Sequence, residues 1–412
     1  MSLNVRPILS ALLRNWTGPL LVAAQVAITL AVLVNAVYIV EQRVAKIGRT
    51  SGMDVQNIFV VRNVGVTEKY AHEATIRADL AYLRGKPGVL AVTTMDYPPL
   101  GGHGNVLGVM LQPDDQRHAV GTHYYEVDDQ VLAALGLHLT GGRAFSPNEV
   151  LPPRTGAAAV SMTEGQVIVT QALADDLYPD GHALGKTLYD SASLLSSPAT
   201  IVGIIDHMQG YRVGWNRVDR VLLAPRLPFP DDLPIAHYIV RVAPGRRDAV
   251  MRSVEQELQN SNGDRLIEWV RPLEFFKNRS YVADRNMGIF LTAVILMLLA
   301  ITCIGVFGLV TFNVGTRIKQ IGTRRALGAQ RLDIVSYFLV ENWLVTTVGV
   351  IFGCALALWS GSWLSRHYEL PRLDLYYLVC GIPVLWVLGL LAAWYPALRA
   401  STVPPAIATR TI

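Results

Sequence analysis

Hydrophobic and polar positions divide the chain into four long apolar runs and one long polar stretch. Residues 16–40, 287–312, 334–364 and 375–398 are almost without charge, and at about 1.5 Å rise per residue each is long enough to cross roughly 30 Å of hydrocarbon. They predict four transmembrane helices. In residues 1–15, Val5, Ile8, Leu9, Leu12 and Leu13 recur at helical spacing opposite Arg6 and Arg14, the pattern of an amphipathic helix lying on a membrane surface. Residues 41–286 hold no such run and predict a globular domain. Its periodicity reads as strand 57–62, helix 67–84 capped by Thr67, and strand 89–95, then again as strand 237–242, helix 246–258 and strand 265–270. Two strand-helix-strand halves, at about 50–103 and 226–286, predict a ferredoxin-like porter layer. Between them, 104–225 is rich in Gly, Pro and short β-type runs and predicts an inserted, mainly β subdomain. The expected fold class is therefore an α-helical membrane protein with four spans plus an α+β extracytoplasmic domain.

Charge orients this arrangement. Residues 1–15, 313–333 and 399–412 carry nine Lys and Arg against one acid, whereas 41–286 carry 25 against 28. Short segments dense in Lys and Arg stay in the cytoplasm, so both termini and the 313–333 loop are expected inside, and the large domain and the neutral connector 365–374 outside. The first run exceeds the apolar core of a cleaved leader and is followed by no small-residue cleavage site, so it reads as an uncleaved anchor. With 51% hydrophobic and 17% charged residues, the 412-residue chain is part membrane and part soluble domain. A mildly acidic outer domain without a basic stripe excludes nucleic acid as a partner. The three cysteines, Cys303, Cys354 and Cys380, all lie in apolar runs, which leaves the outer domain without a disulfide framework or a Cys-based zinc site.

Two stretches imitate catalytic motifs and fail on spacing. Gly181-His182-Ala183-Leu184-Gly185-Lys186-Thr187 has one residue too few between its glycines to wrap a phosphate, and His72-Glu73 is followed by Ile76 where a zinc-protease helix needs its second His. No Gly-x-Ser-x-Gly occurs. The chain is expected to be no enzyme and to bind no cofactor itself.

The densest signal is T-R-I-K-Q-I-G-T-R-R-A-L-G-A-Q-R-L-D at 316–333. Ile318, Ile321 and Leu327 form a thin apolar face if it is helical, and Gly328 is a natural helix stop. Five positive charges also serve simply to fix topology against lipid headgroups. The run resembles the signature of MacB/FtsX-type ABC transporter permeases, with Lys319-Gln320 where an acidic residue usually precedes Ile321. The 135–145 and 167–188 stretches resemble the outer domain of that family, as do the four-span layout and Tyr395-Pro396-Ala397-Leu398-Arg399-Ala400. This resemblance implies that Arg317, Ile318, Lys319, Ile321, Gly322, Arg324, Arg325, Leu327, Gly328 and Arg331 contact a separate cytoplasmic ABC ATPase subunit, which would hold ATP and Mg. It also implies a second permease copy or a paralogous permease, and is compatible with a periplasmic adaptor. Glu341 is a charge inside the third run, read as a structural or coupling partner. Gly349 and Gly353 form a Gly-x-x-x-Gly that fits close packing within the chain or between copies equally well. Pro396 is expected to end the last helix. Implied functions are export or extraction of a peptide, lipid-linked or drug-like substrate by mechanotransmission in a bacterial inner membrane, or alternatively FtsX-like regulation of a periplasmic cell-wall hydrolase. A membrane-anchored receptor or chaperone without an ATPase is a third reading, disfavoured by the loop.

Overall fold

The computed structural model describes residue 12 and residues 16–113, 115–153, 165–191, 198–228, 234–368 and 373–404. The surface helix expected over 1–15, except Leu12, falls outside the described residues, as do 369–372 of the connector and the tail from 405. Two compact units emerge: Gly48–Ala283, and Met1–Ile47 together with Asp284–Ile412.

Helix α1 (Thr17–Ile47) runs seven residues past the expected 40 because Glu41–Lys46 continues the helix with good helix formers after the apolar run ends. The unit that follows opens with β1 (Ile58–Gly65), α2 (His72–Arg84) and β2 (Val89–Met95). Helix α2 does not start at Thr67. That hydroxyl donates instead to Asp264 Oδ1 (2.8 Å), and the backbone turns once, Tyr70 N to Thr67 O, before the helix begins.

Seven strands intervene before the second half: β3 (Asn105–Met110), β4 (Val120–Val127), β5 (Leu139–Gly142), β6 (Gly165–Thr170), β7 (Thr187–Asp190), β8 (Ala199–Ile205) and β9 (Val221–Pro225). They carry the short helices α3 (Val131–Leu135) and α4 (Gln171–Leu177). Neighbour pairing runs β4-β3-β7-β8-β6-β9, and β9 then pairs with β4 in parallel, His123 opposite Val221 through Val127 opposite Pro225. The ring is closed, which removes its sheet edges. Val109, Tyr124, Val167, Val169, Ile201 and Leu222 fill its interior.

The second half is β10 (Ile235–Val242), α5 (Arg247–Ser261) and β11 (Arg265–Pro272), followed by α6 (Leu273–Ser280). Strands β11-β1-β10-β2 lie in that order, all antiparallel, with α2 and α5 packed on one face. This is the ferredoxin-like arrangement. Strand β1 is apolar without alternation because both faces are covered: Phe59 and Val61 meet Ile76, Leu80 and Val254, while Ile58 and Val60 are equally enclosed. The barrel joins this layer where Met95 of β2 pairs with Val127 of β4.

The other unit comprises α1, α7 (Val282–Thr316), α8 (Ile318–Ala326), α9 (Arg331–Tyr368) and α10 (Leu375–Ser401). Four of these are long and apolar enough to cross a membrane. Their ends overrun the expected 287–312, 334–364 and 375–398, since helices extend into polar flanks that apolar windows exclude. Pro396 does not end α10: the helix carries Pro383 and Pro396 inside it and reaches Ser401, with Ala397 and Ala400 fully enclosed. Helix α1 is the most enclosed of the four and α7 the least. Polar side chains stitch them together: Thr29 with Thr302 (2.8 Å), Asn35 Nδ2 with Ala357 O (3.3 Å), and Asn342 Nδ2 with Gly389 O (3.0 Å).

Candidate functional site

The basic segment forms α8, a nine-residue helix closed by a Schellman turn. Ala329 N donates to Arg324 O (3.0 Å) and Gly328 N to Arg325 O (3.1 Å), with Gly328 at φ +97°. A left-handed residue at this position ends a helix while satisfying its last carbonyls, and glycine reaches it without strain. Gln330 N then donates to Asp333 Oδ2 (2.9 Å) and starts α9.

Three arginines fasten α8 to the membrane unit. Arg317 Nη1 donates to Glu341 Oε2 (3.0 Å) and to the Tyr337 hydroxyl (3.2 Å), both on α9. Asn313 Nδ2 reaches the other Glu341 oxygen at 3.4 Å. The Glu341 side chain is 4% exposed and that of Arg317 16%, so the pair is enclosed and loss of either charge strands the other. Arg324 lies over the Tyr337 ring, 4.7 Å from its centre, a cation-π contact. Arg325 Nη1 donates to Ser401 O (2.7 Å) and Val403 O (3.2 Å) at the end of α10.

The expected apolar face of this segment is divided in two. Ile321 is 4% exposed and packs in the same core as Ile334 and Phe338, and Gly322 is buried beside it, so neither belongs to an outward surface. Ile318 is half-buried. Leu327 (83% exposed) and Leu332 (75%) face out, together with Lys319, Arg324, Gly328 and Arg331. The inward side of α8 is packed and bonded, while Lys319 and Arg324 of α8, Leu327 and Gly328 of the turn and Arg331 and Leu332 of α9 are exposed.

Gly349 and Gly353 lie away from α8, on the face of α9 against α1. A Cβ on Gly349 would stand 2.6 Å from Ala23 O, and one on Gly353 3.0 Å from Ala27 O. The motif serves close packing within the chain. Sequence reasoning missed Tyr337, although it stands four residues before Glu341 and so shares its helix face. The Arg325 contacts left no signal, since their acceptors are backbone carbonyls more than 70 residues away.

Among the described residues there is no group of three or more His, Cys, Asp or Glu placed to hold a metal ion. The segment is attached to α9 through Arg317 and to the end of α10 through Arg325.

Residues 292–405 match the family described as FtsX-like permease C-terminal. The chain is 23% identical over 304 residues to the ABC transporter permease YvrN of Bacillus subtilis, covering 69% of each. It is 23% identical over 361 residues to the macrolide export ATP-binding/permease protein MacB 1/2 of Paracoccus denitrificans, covering 86% of this chain and 50% of that one. It thus spans about half the length of that relative. The periplasmic region of MacB from Actinobacillus actinomycetemcomitans aligns over 57% of this chain and 97% of its own, at 12% identity and a TM-score of 0.33.

Proposed function

We propose that the chain works as a mechanical transmitter, in the manner of the MacB/FtsX-type ABC transporter permeases it is similar to. A cytoplasmic ABC ATPase subunit docks on the outward side of α8, and its nucleotide-driven movement tilts the spans and displaces the inserted Gly48–Ala283 unit, which lies outside the membrane. The ATPase holds ATP and Mg; this chain supplies the docking surface and the levers. Substrates would be peptide, lipid-linked or drug-like molecules engaged outside. A second permease copy or a paralogous permease completes the assembly.

The observation that carries this reading is the Arg317–Glu341 pair together with the Arg325 contacts. A helix tied at one end to α9 and at the other to α10 cannot yield locally when pushed, so force applied to it moves two spans. Four spans without a polar row along any of them are poorly suited to line a hydrophilic pore.

Docking and transmission are carried by different residues, which makes the reading testable. Leu327→Glu replaces the most exposed leucine of the proposed docking surface with a charge and should weaken ATPase co-purification by about 30-fold, corresponding to roughly 2 kcal/mol for a position buried on docking. Glu341→Gln should leave co-purification intact but weaken stimulation of ATP hydrolysis by the permease, because the enclosed ion pair that ties α8 to α9 is lost and Arg317 keeps only its bond to Tyr337. If Leu327→Glu retains full ATPase binding and full coupled hydrolysis, α8 is only a topology signal and the proposal is wrong.

A further inference from the structure

Two irregular segments of the inserted unit, residues 96–104 and 206–220, meet the two places where the chain comes in from α1 and leaves toward α7. On the incoming side, Gln209 N donates to Ser51 O (2.9 Å), the His207 ring nitrogen Nε2 lies 2.7 Å from Thr50 O, and Arg49 Nη1 donates to Trp215 O (3.1 Å). On the outgoing side, Gln209 Nε2 donates to the Tyr281 hydroxyl (2.6 Å), and the Ser280 hydroxyl donates to Leu100 O. Gln209 is fully buried and grips both crossings at once, one with its backbone and one with its side chain. Leu100 is wholly buried at φ 62°, the described non-glycine residue with a left-handed backbone. Strain of that kind persists only where the surroundings enforce it.

The segments also lie on each other and on the barrel. A Cβ on Gly104 would stand 2.6 Å from the Tyr211 ring, and one on Gly210 2.2 Å from the His123 ring of β4. His123 N donates to Arg220 O (2.8 Å) and the Thr170 hydroxyl to Asp219 O (2.6 Å), while Arg217 and Arg220 flank Asp176 on α4. A loop fastened on three sides by main-chain bonds and close ring contacts is not a free surface loop.

We propose that residues 96–104 and 206–220 form a collar, one cooperative unit around both chain crossings, through which displacement of α1 and α7 enters the β barrel. The collar deepens the transmitter reading and rests on it. It assigns Gln209, Ser280 and Tyr281 as positioning residues, each acting by holding a crossing to the collar.

Hydrogen exchange on the full-length chain in lipid nanodiscs tests the collar without an ATPase. Ser280→Ala removes one hydroxyl that contacts residue 100. If the collar is one unit, exchange should rise about tenfold in 48–52 and 206–220 as well as in 96–104, with the barrel strands unchanged. Faster exchange confined to 96–104 and its immediate contact overturns the proposal. Tyr281→Phe keeps the ring, removes the hydroxyl that accepts from Gln209, and should give the same pattern from the other end. It stands as the deciding variant if Ser280→Ala loosens the whole unit. A second arm adds the ATPase subunit and a non-hydrolysable ATP analogue. Collar peptides that respond cooperatively to Ser280→Ala but not to nucleotide would sink the transmitter reading and leave the collar standing. A nucleotide effect on barrel strands that is equal in wild type and both variants would overturn the collar as the route.

Discussion

At the scale of single residues, the inserted unit buries polar groups for two different ends. Arg265 is fully enclosed beside Asp79, and its remaining donors go to Leu258 O and the Ser261 hydroxyl, while the Tyr238 hydroxyl donates to the same Asp79 carboxylate. That network is satisfied and rigid. His123 is the opposite case: neither ring nitrogen has a hydrogen-bond partner among the described residues, and the ring is held by Tyr211 and Trp215. Burial, with Arg212 nearby, lowers its pKa to about 4. The folded state therefore keeps His123 neutral while the unfolded chain takes up its proton near 6.5, so this residue withdraws stability as pH falls from about 6.5 toward 4. Burial and Arg62 likewise bring His237 to about 4. Asp128, raised by burial to about 6, works the other way below pH 6, because its folded form gains a proton first. His123→Phe should consequently be neutral or stabilising by about 1 kcal/mol at pH 7 and should flatten the loss of stability between pH 7 and 5. Thermal unfolding of the two proteins across that range is the measurement, and a steeper fall in the variant would contradict the assignment.

Elements differ in how far the sequence discloses them. The four spans were legible because a long apolar run has one structural solution in a membrane. The paired strand-helix-strand halves were legible because short, mostly apolar and β-branched runs such as 58–61 and 239–242 flank segments of helical spacing. Helix ends were not: the continuation of α1 into Glu41–Lys46 and of α10 through Pro396 depends on packing, which apolar windows do not see. Neither was the inward role of Ile321 and Arg325, whose partners come from α9 and from residues 401–403. Barrel closure by β4 and β9 is likewise a pairing across nearly a hundred residues that no local pattern announces. For α8 the Schellman glycine gives an isolated test. A Cβ at Gly328 meets nothing within 4 Å, so Gly328→Val acts on the backbone alone and should cost about 1–2 kcal/mol at that turn. The expected result is an ATPase that still co-purifies but loses most of its dependence on the permease. Unchanged coupled hydrolysis would show that the turn bears no force.

For the whole molecule, the charge asymmetry predicts that Gly48–Ala283 lies outside and that the 313–333 loop lies in the cytoplasm. Cysteine introduced at Gln112 or Asn148, both exposed, should react with an impermeant thiol reagent in intact cells, and one at Gln330 should not. Ser51 is a poor labelling position, since it is buried. Reaction at position 330 would invert the topology. The strand order also has a consequence for biogenesis. Ile58 of β1 pairs with Arg241 of β10, and β11, the other neighbour of β1, comes later still. The barrel strands lie wholly between those partners in sequence, so the barrel can be complete while β1 and α2 still wait for the second half of their layer. Because loop closure over long separations is slow, the chain should fold from its middle outward as it is synthesised. The ferredoxin-like layer would then assemble last, around a barrel already formed.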